Sequence, residues 1–147
     1  MDLLASGPAI EARLRAQCPA AGDNVFTTAT LAGVKEKSQV TPALHLVLHS
    51  YRPIADDDGS GSLWRVIWLV VAVVRNARQN AGTAPIQDAA GDLLAQAVGA
   101  LDGWRCPGTV GKLRAIDPPN PLITDGFGYF PLAFSVDVVT DGTEELQ

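Results

Sequence analysis

The stretch Leu63–Val74 reads LWRVIWLVVAVV, an apolar run interrupted only by Arg65. At period two, Trp64, Val66, Trp68, Val70, Ala72 and Val74 point one way, while Leu63, Ile67, Leu69, Val71 and Val73 point the other. Both faces are apolar. A strand with one face in water alternates apolar with polar, so this one is expected to be covered on both sides, by helices of its own chain or by a neighbouring subunit. The density of Val, Ile and Trp argues against a helix, where those side chains lose rotamer freedom, and for a pleated surface, which they fit. A membrane span takes about 20 apolar residues, and Arg65 and Arg75 bracket a shorter segment, so no membrane partner is expected.

Working outward, Ala43–Arg52 (ALHLVLHSYR) is a second long strand. Leu44, Leu46 and Leu48 share one face, and His45, Val47, His49 and Tyr51 the other. The polar turn Asp56-Asp57-Asp58-Gly59-Ser60-Gly61 returns the chain into the core strand and makes an antiparallel hairpin. Beyond Arg75 a polar connection leads to Pro85–Leu101, with Ile86, Ala89, Ala90, Leu93, Leu94, Ala97, Val98 and Leu101 at helical spacing. Thr83 suits the cap of this main helix, Asp88 and Asp92 its positive end, and Gly103 its exit.

Upstream, a short amphipathic helix is expected, capped by Ser6, with Pro8 in its first turn, the stripe Ile10, Leu14 and Cys18, and Pro19 as its stop. Asn24–Thr30 reads as a modest strand. Leu31–Pro42 has no clean period and reads as a long exposed loop. Downstream come a short strand Gly111–Ile116, the loop DPPNP and a long strand Phe127–Thr140, in which Pro131 marks an edge or a bulge. The tail Asp141–Gln147 is polar and expected to fray. The fold class is therefore α+β, a mainly antiparallel sheet built on a long central hairpin, with one main helix and a short N-terminal helix. At 147 residues it is expected to form one domain, residues 1–147.

Composition narrows the function classes. With a net charge of −5 and 11 Lys and Arg scattered along the chain, a grip on nucleic-acid phosphates is not expected. Cys18 and Cys106 show no metal-ligand spacing, which predicts two reduced thiols in a cytoplasmic product. The start MDLLASGPAIEARL lacks the apolar core of a signal peptide. His45 and His49, four apart on a strand, stand about 13 Å from each other and should not share a zinc ion; both are expected on a half-exposed face. Asp56-Asp57-Asp58-Gly59 resembles the start of a calcium loop but lacks the closing acid, so a solvated hairpin tip is expected. Trp64, Trp68 and Trp104 are expected in core packing. No nucleophile elbow, P-loop or acid–base set is present, so no catalysis, cofactor or metal is expected.

Four segments, IEARL (Ile10–Leu14), WRV (Trp64–Val66), ALDGW (Ala100–Trp104) and PLAF (Pro131–Phe134), together resemble the tail terminator proteins of long-tailed bacteriophages, in order and over nearly the whole chain. The resemblance implies a non-enzymatic virion assembly protein. It would form a hexameric ring on the head-proximal end of the tail tube, stop tube polymerisation and present a surface to the head-completion or connector protein. It would reside in the virion tail, and in the host cytoplasm during assembly. A terminator must touch its tube through polar, irregular segments, which singles out Lys35, Glu36 and Lys37, and secondly Asp56, Asp57 and Asp58, as protein-interface residues. The alternatives are another head–tail joining or minor tail protein, or a small α+β ligand- or protein-binding module with a pocket near Arg65 or the histidines. A ring in light scattering or native mass spectrometry separates assembly protein from binding module.

Overall fold

A computed structural model describes residues 2–36, 40–56, 61–75, 84–124 and 126–140. The elements are α1 (Ser6–Gln17), β1 (Val25–Thr27), α2 (Leu31–Glu36), β2 (Ala43–Asp56), β3 (Ser62–Arg75), α3 (Ala84–Leu101), β4 (Val110–Ile116), β5 (Leu122–Thr124) and β6 (Phe127–Val139). They build an α+β fold around a six-stranded sheet in the order β1-β2-β3-β6-β4, with β5 added to β6. Every pairing is antiparallel except that of β1 with β2.

The apolar run occupies the centre. β3 pairs with β2 along one edge and with β6 along the other, which satisfies its backbone polar groups and leaves both faces free to pack. On one face the register sets Trp68 between Leu48 and Phe134, and Val70 between Leu46 and Leu132. Ile10 and Leu14 of α1 join Ala90, Leu93, Ala97, Ala100 and Leu101 of α3 over this face in one buried cluster. The small Ala positions let α3 approach the sheet closely. Leu94, expected in the same stripe, is only half-buried and Ala89 is exposed, because the buried line runs through Ala90, Leu93 and Ala97. Thr83 and the side chain of Ile86 lie outside the described residues.

Ser6 does not cap α1. Ala5 holds the cap position with helical dihedrals and no side-chain cap bond. Ser6 instead faces the sheet, where its Oγ accepts a hydrogen bond of 2.9 Å from the Trp68 indole N–H. Gly7 completes the contact, since a Cβ there would sit 2.7 Å from Trp68 Cη2. Gly7→Ala should therefore force α1 off the indole and cost roughly 1–3 kcal/mol, read as a lower denaturation midpoint.

The exit of α3 is tied to β4. Gly103, at φ 80°, donates its N–H to the Leu113 carbonyl, Leu113 donates back to Trp104, and Asp102 Oδ1 accepts from the Ala115 N–H at 3.0 Å. These bonds hold Leu113 in the core and stand where the β4–β6 ladder shifts register, between Val110 and Arg114.

Several expectations change. Leu31–Pro42 is not a loop throughout, because Leu31–Glu36 forms α2. Thr30 Oγ1 accepts from the Gly33 N–H and closes its first turn, while Val34 is buried on the sheet. The strand read over Asn24–Thr30 shortens to Val25–Thr27. The hairpin strands are longer than expected, 14 residues each, with irregularities at Leu48/Ser50 and Pro53/Ala55. Pro131 pairs with Val71 of β3, and on the other side of β6 it falls between the β5 partner Tyr129 and the β4 partner Ala133, a local edge of the kind that tolerates proline. The expected fraying of 141–147 lies outside the described residues.

Candidate assembly surface

The second face of β3 is covered differently. Leu69, Val71 and Val73 cluster with Val34 of α2, Val47 of β2, and Tyr129 and Ala133 of β6. Nearer the hairpin tip, Leu63 and Ile67 are only half-buried, and among the described residues the one helix on this face is α2. The register adds exposed apolar side chains to the same face: Val139 opposite Leu63, Val110 opposite Asp137, and Ile116 opposite Ala133. These three are 38%, 49% and 37% exposed. Apolar side chains gathered on one surface mark an interaction site more often than single exposed residues do.

A band of arginine crosses this apolar surface. Arg52 of β2 stands directly across from Arg65 of β3, and Arg114 of β4 across from Ser135 of β6. Arg65 holds Asp137 in a two-pronged pair, Nε to Oδ1 at 3.0 Å and Nη2 to Oδ2 at 3.3 Å. Hydrogen bonding to Asp137 first, and its charge second, push the Arg65 guanidinium pKa upward. The pair is partly solvated and contributes about 0–1 kcal/mol, so it orients Arg65 more than it stabilises the sheet.

Of the residues expected at an interface, Lys35 lies on α2. With Leu31, Val34, Val71, Leu122 and Tyr129 it lines a hollow of about 170 Å³ between α2 and the end of β6. Glu36 closes α2 and its side chain is not among those described; Lys37 lies outside the described residues. Asp56 ends β2, paired with Ser62, whereas Asp57 and Asp58 lie outside the described residues. From Val71 under α2 to Ser62 is about 30 Å along β3, so Lys35 and Asp56 belong to opposite ends of the sheet rather than to one patch. Sequence reasoning missed Arg52, Arg114, Val110, Ile116 and Val139, which become neighbours only through the pairing of four strands. The sole local signal was Arg114 within a short apolar strand.

His45 is not on a half-exposed face. It is fully buried, its Nδ1 2.8 Å from Thr28 Oγ1 and its ring 5.2 Å from that of Phe26, which β1 brings alongside by pairing parallel to β2. His49 is exposed at the register shift between Leu48 and Ser50. Trp68 is buried, while Trp64 and Trp104 are half-buried, the latter beneath the Arg13 guanidinium at 5.1 Å. Cys18 and Cys106 are buried and unbridged, and burial pushes both thiol pKa values up, which lowers their reactivity. Among the described residues no three His, Cys, Asp or Glu side chains gather to hold a metal ion. Treatment with a strong chelator should leave the far-ultraviolet circular dichroism and the melting midpoint unchanged; a marked loss of structure would contradict this.

Residues 1–144 match the model of the phage tail terminator protein family. Among solved structures, a chain of the virion of a native gene transfer agent particle is similar over 91% of this chain and 94% of its own, at TM-score 0.59 and 18% identity. A second solved chain is similar over 90% of this chain and 92% of its own, at TM-score 0.50 and 17% identity. At such identities the likeness is one of fold. No curated protein matches the chain.

Proposed function

The chain belongs to the phage tail terminator protein family, whose members are structural tail proteins, and from that premise we propose that it closes the head-proximal end of a tail tube. It does so as a hexameric ring that halts tube polymerisation and offers its other side to a head-completion or connector protein. The observation that carries this reading is the broad sheet face that α1 and α3 leave uncovered, with its exposed Val110, Ile116 and Val139 and its arginine band. A lone subunit gains nothing by leaving such a surface in water, and a subunit of an assembly uses it.

Lys35, Glu36 and Lys37 are proposed as the contact with the tube, and Asp56, Asp57 and Asp58 as a second contact at the far end of the hairpin. Because Lys35 is exposed, replacing Lys35 and Lys37 by Glu should change stability by no more than about 0.5 kcal/mol. The double variant should form the same particle as the parent in native mass spectrometry, yet sediment less with purified tail tubes. If it caps tubes as well as the parent, α2 and the residues after it are not the tube contact. A parent protein that stays monomeric at every concentration would remove the ring itself.

A further inference from the structure

We propose that neighbouring subunits of the ring join head to tail, the arginine-bearing sheet face of one copy seating on the outer side of α3 of the next. This rests on the ring reading and names the two surfaces that would make it.

The outer side of α3 carries Asp88, Asp92, Ala95 and Gly99, spaced three or four apart, with Gly91 beside them, and all five are exposed. None is larger than aspartate, so the helix presents a low surface on which a flat sheet can lie. Glycine is among the least favourable residues inside a helix. Among the described residues a Cβ added at Gly91 or Gly99 would meet nothing within 4 Å, so packing against them demands neither glycine. Close approach of a second body at those positions does.

Charge selects the body. Among the described residues, Asp88 and Asp92 take part in no ion pair, and Asp92 shares a shallow hollow with Arg75 without pairing to it. On the sheet face that α1 and α3 do not cover, Arg52 and Arg114 are likewise outside the ion pairs among the described residues, and Asp137, already held by Arg65, is the carboxylate that the strand registers place among them. An acidic helix and a basic sheet face on opposite sides of one subunit attract when copies follow one another and repel when like faces meet. Two different patches define a heterologous contact, and such contacts close into rings when the rotation per copy allows it. The exposed Val110, Ile116 and Val139 supply the apolar area that the arginines orient.

The test uses the purified full chain in native mass spectrometry and light scattering, with circular dichroism to verify folding. Arg52→Glu with Arg114→Glu gives a copy acidic on both surfaces, and Asp88→Arg with Asp92→Arg a copy basic on both. Each alone should assemble at least tenfold more weakly than the parent, and an equimolar mixture should recover a ring of alternating copies. Gly91→Leu, placed where the helix has room, should melt no lower as a subunit yet fail to assemble. If the parent forms a ring and the folded variants form it equally well, or if the mixture does not recover assembly, the proposed interface is overturned while the ring reading stands. A monomeric parent overturns both.

Discussion

Leu93→Asp should leave no cooperatively folded protein. Leu93 is 1% exposed, in the line of α3 that joins Trp68, Val70, Val74 and Phe134 in one buried cluster; Arg75, at the rim of the hollow that Leu93 also lines, is itself exposed to water. Removing a buried leucine already costs about 2–5 kcal/mol through lost burial and the cavity left behind. A carboxylate in that space must either stay charged without a partner or take up a proton, and both add several kcal/mol. Against a total stability of about 5–15 kcal/mol the sum reaches the whole margin. The adjacent Asp92→Ser faces water and should move stability by about 0.5 kcal/mol at most. Leu94→Asp should fall between the two, since that half-buried side chain can turn its carboxylate to solvent. Thermal melts of the three decide it: equal midpoints for Leu93→Asp and Asp92→Ser would mean that the buried side of α3 is misassigned.

Trp68→Ala should be the most damaging truncation in the sheet, about 3–5 kcal/mol. The indole fills the space between Leu48 and Phe134, presses on Gly7, and donates the hydrogen bond that Ser6 accepts. Without it α1 loses its anchor and the Ser6 hydroxyl is left buried with no partner of that kind. Trp68→Phe keeps most of the volume and loses the donor, so its cost should be about 1–3 kcal/mol. Urea titration measures both. If Trp68→Ala lowers stability by less than about 1 kcal/mol, the docking of α1 on this face does not contribute what its geometry implies.

The elements that could be read from the chain are those whose signals are local. The run Leu63–Val74 is marked as a strand by its period and its β-branched content, the Ala/Leu spacing of Pro85–Leu101 marks a helix, and the turn residues between the two long strands make them a hairpin. α2 escaped because a helix of six residues shows only Leu31 and Val34 at helical spacing, too little for a period. The interface candidates were legible as charged and polar segments, but their placement was not: Lys35 sits on a folded helix, and the hairpin strands carry Asp56 to the far end of the sheet.

Taken by itself, the sequence determined that β3 would be the central strand, that it would pair with the strand before it, and that α3 would bury an Ala/Leu side against it. It also required that both faces of β3 be covered, because nearly every residue there is apolar. Which face receives α1 and α3, and which is left to α2 and to the surface of arginine and exposed valine, only the tertiary structure decided. The reason is physical. Periodicity records which side chains must leave water, whereas the choice of what covers them depends on contacts between segments far apart in the chain. Ser6 with Trp68, Phe26 with His45 and Arg65 with Asp137 are such contacts, and none leaves a trace in the local pattern of either partner.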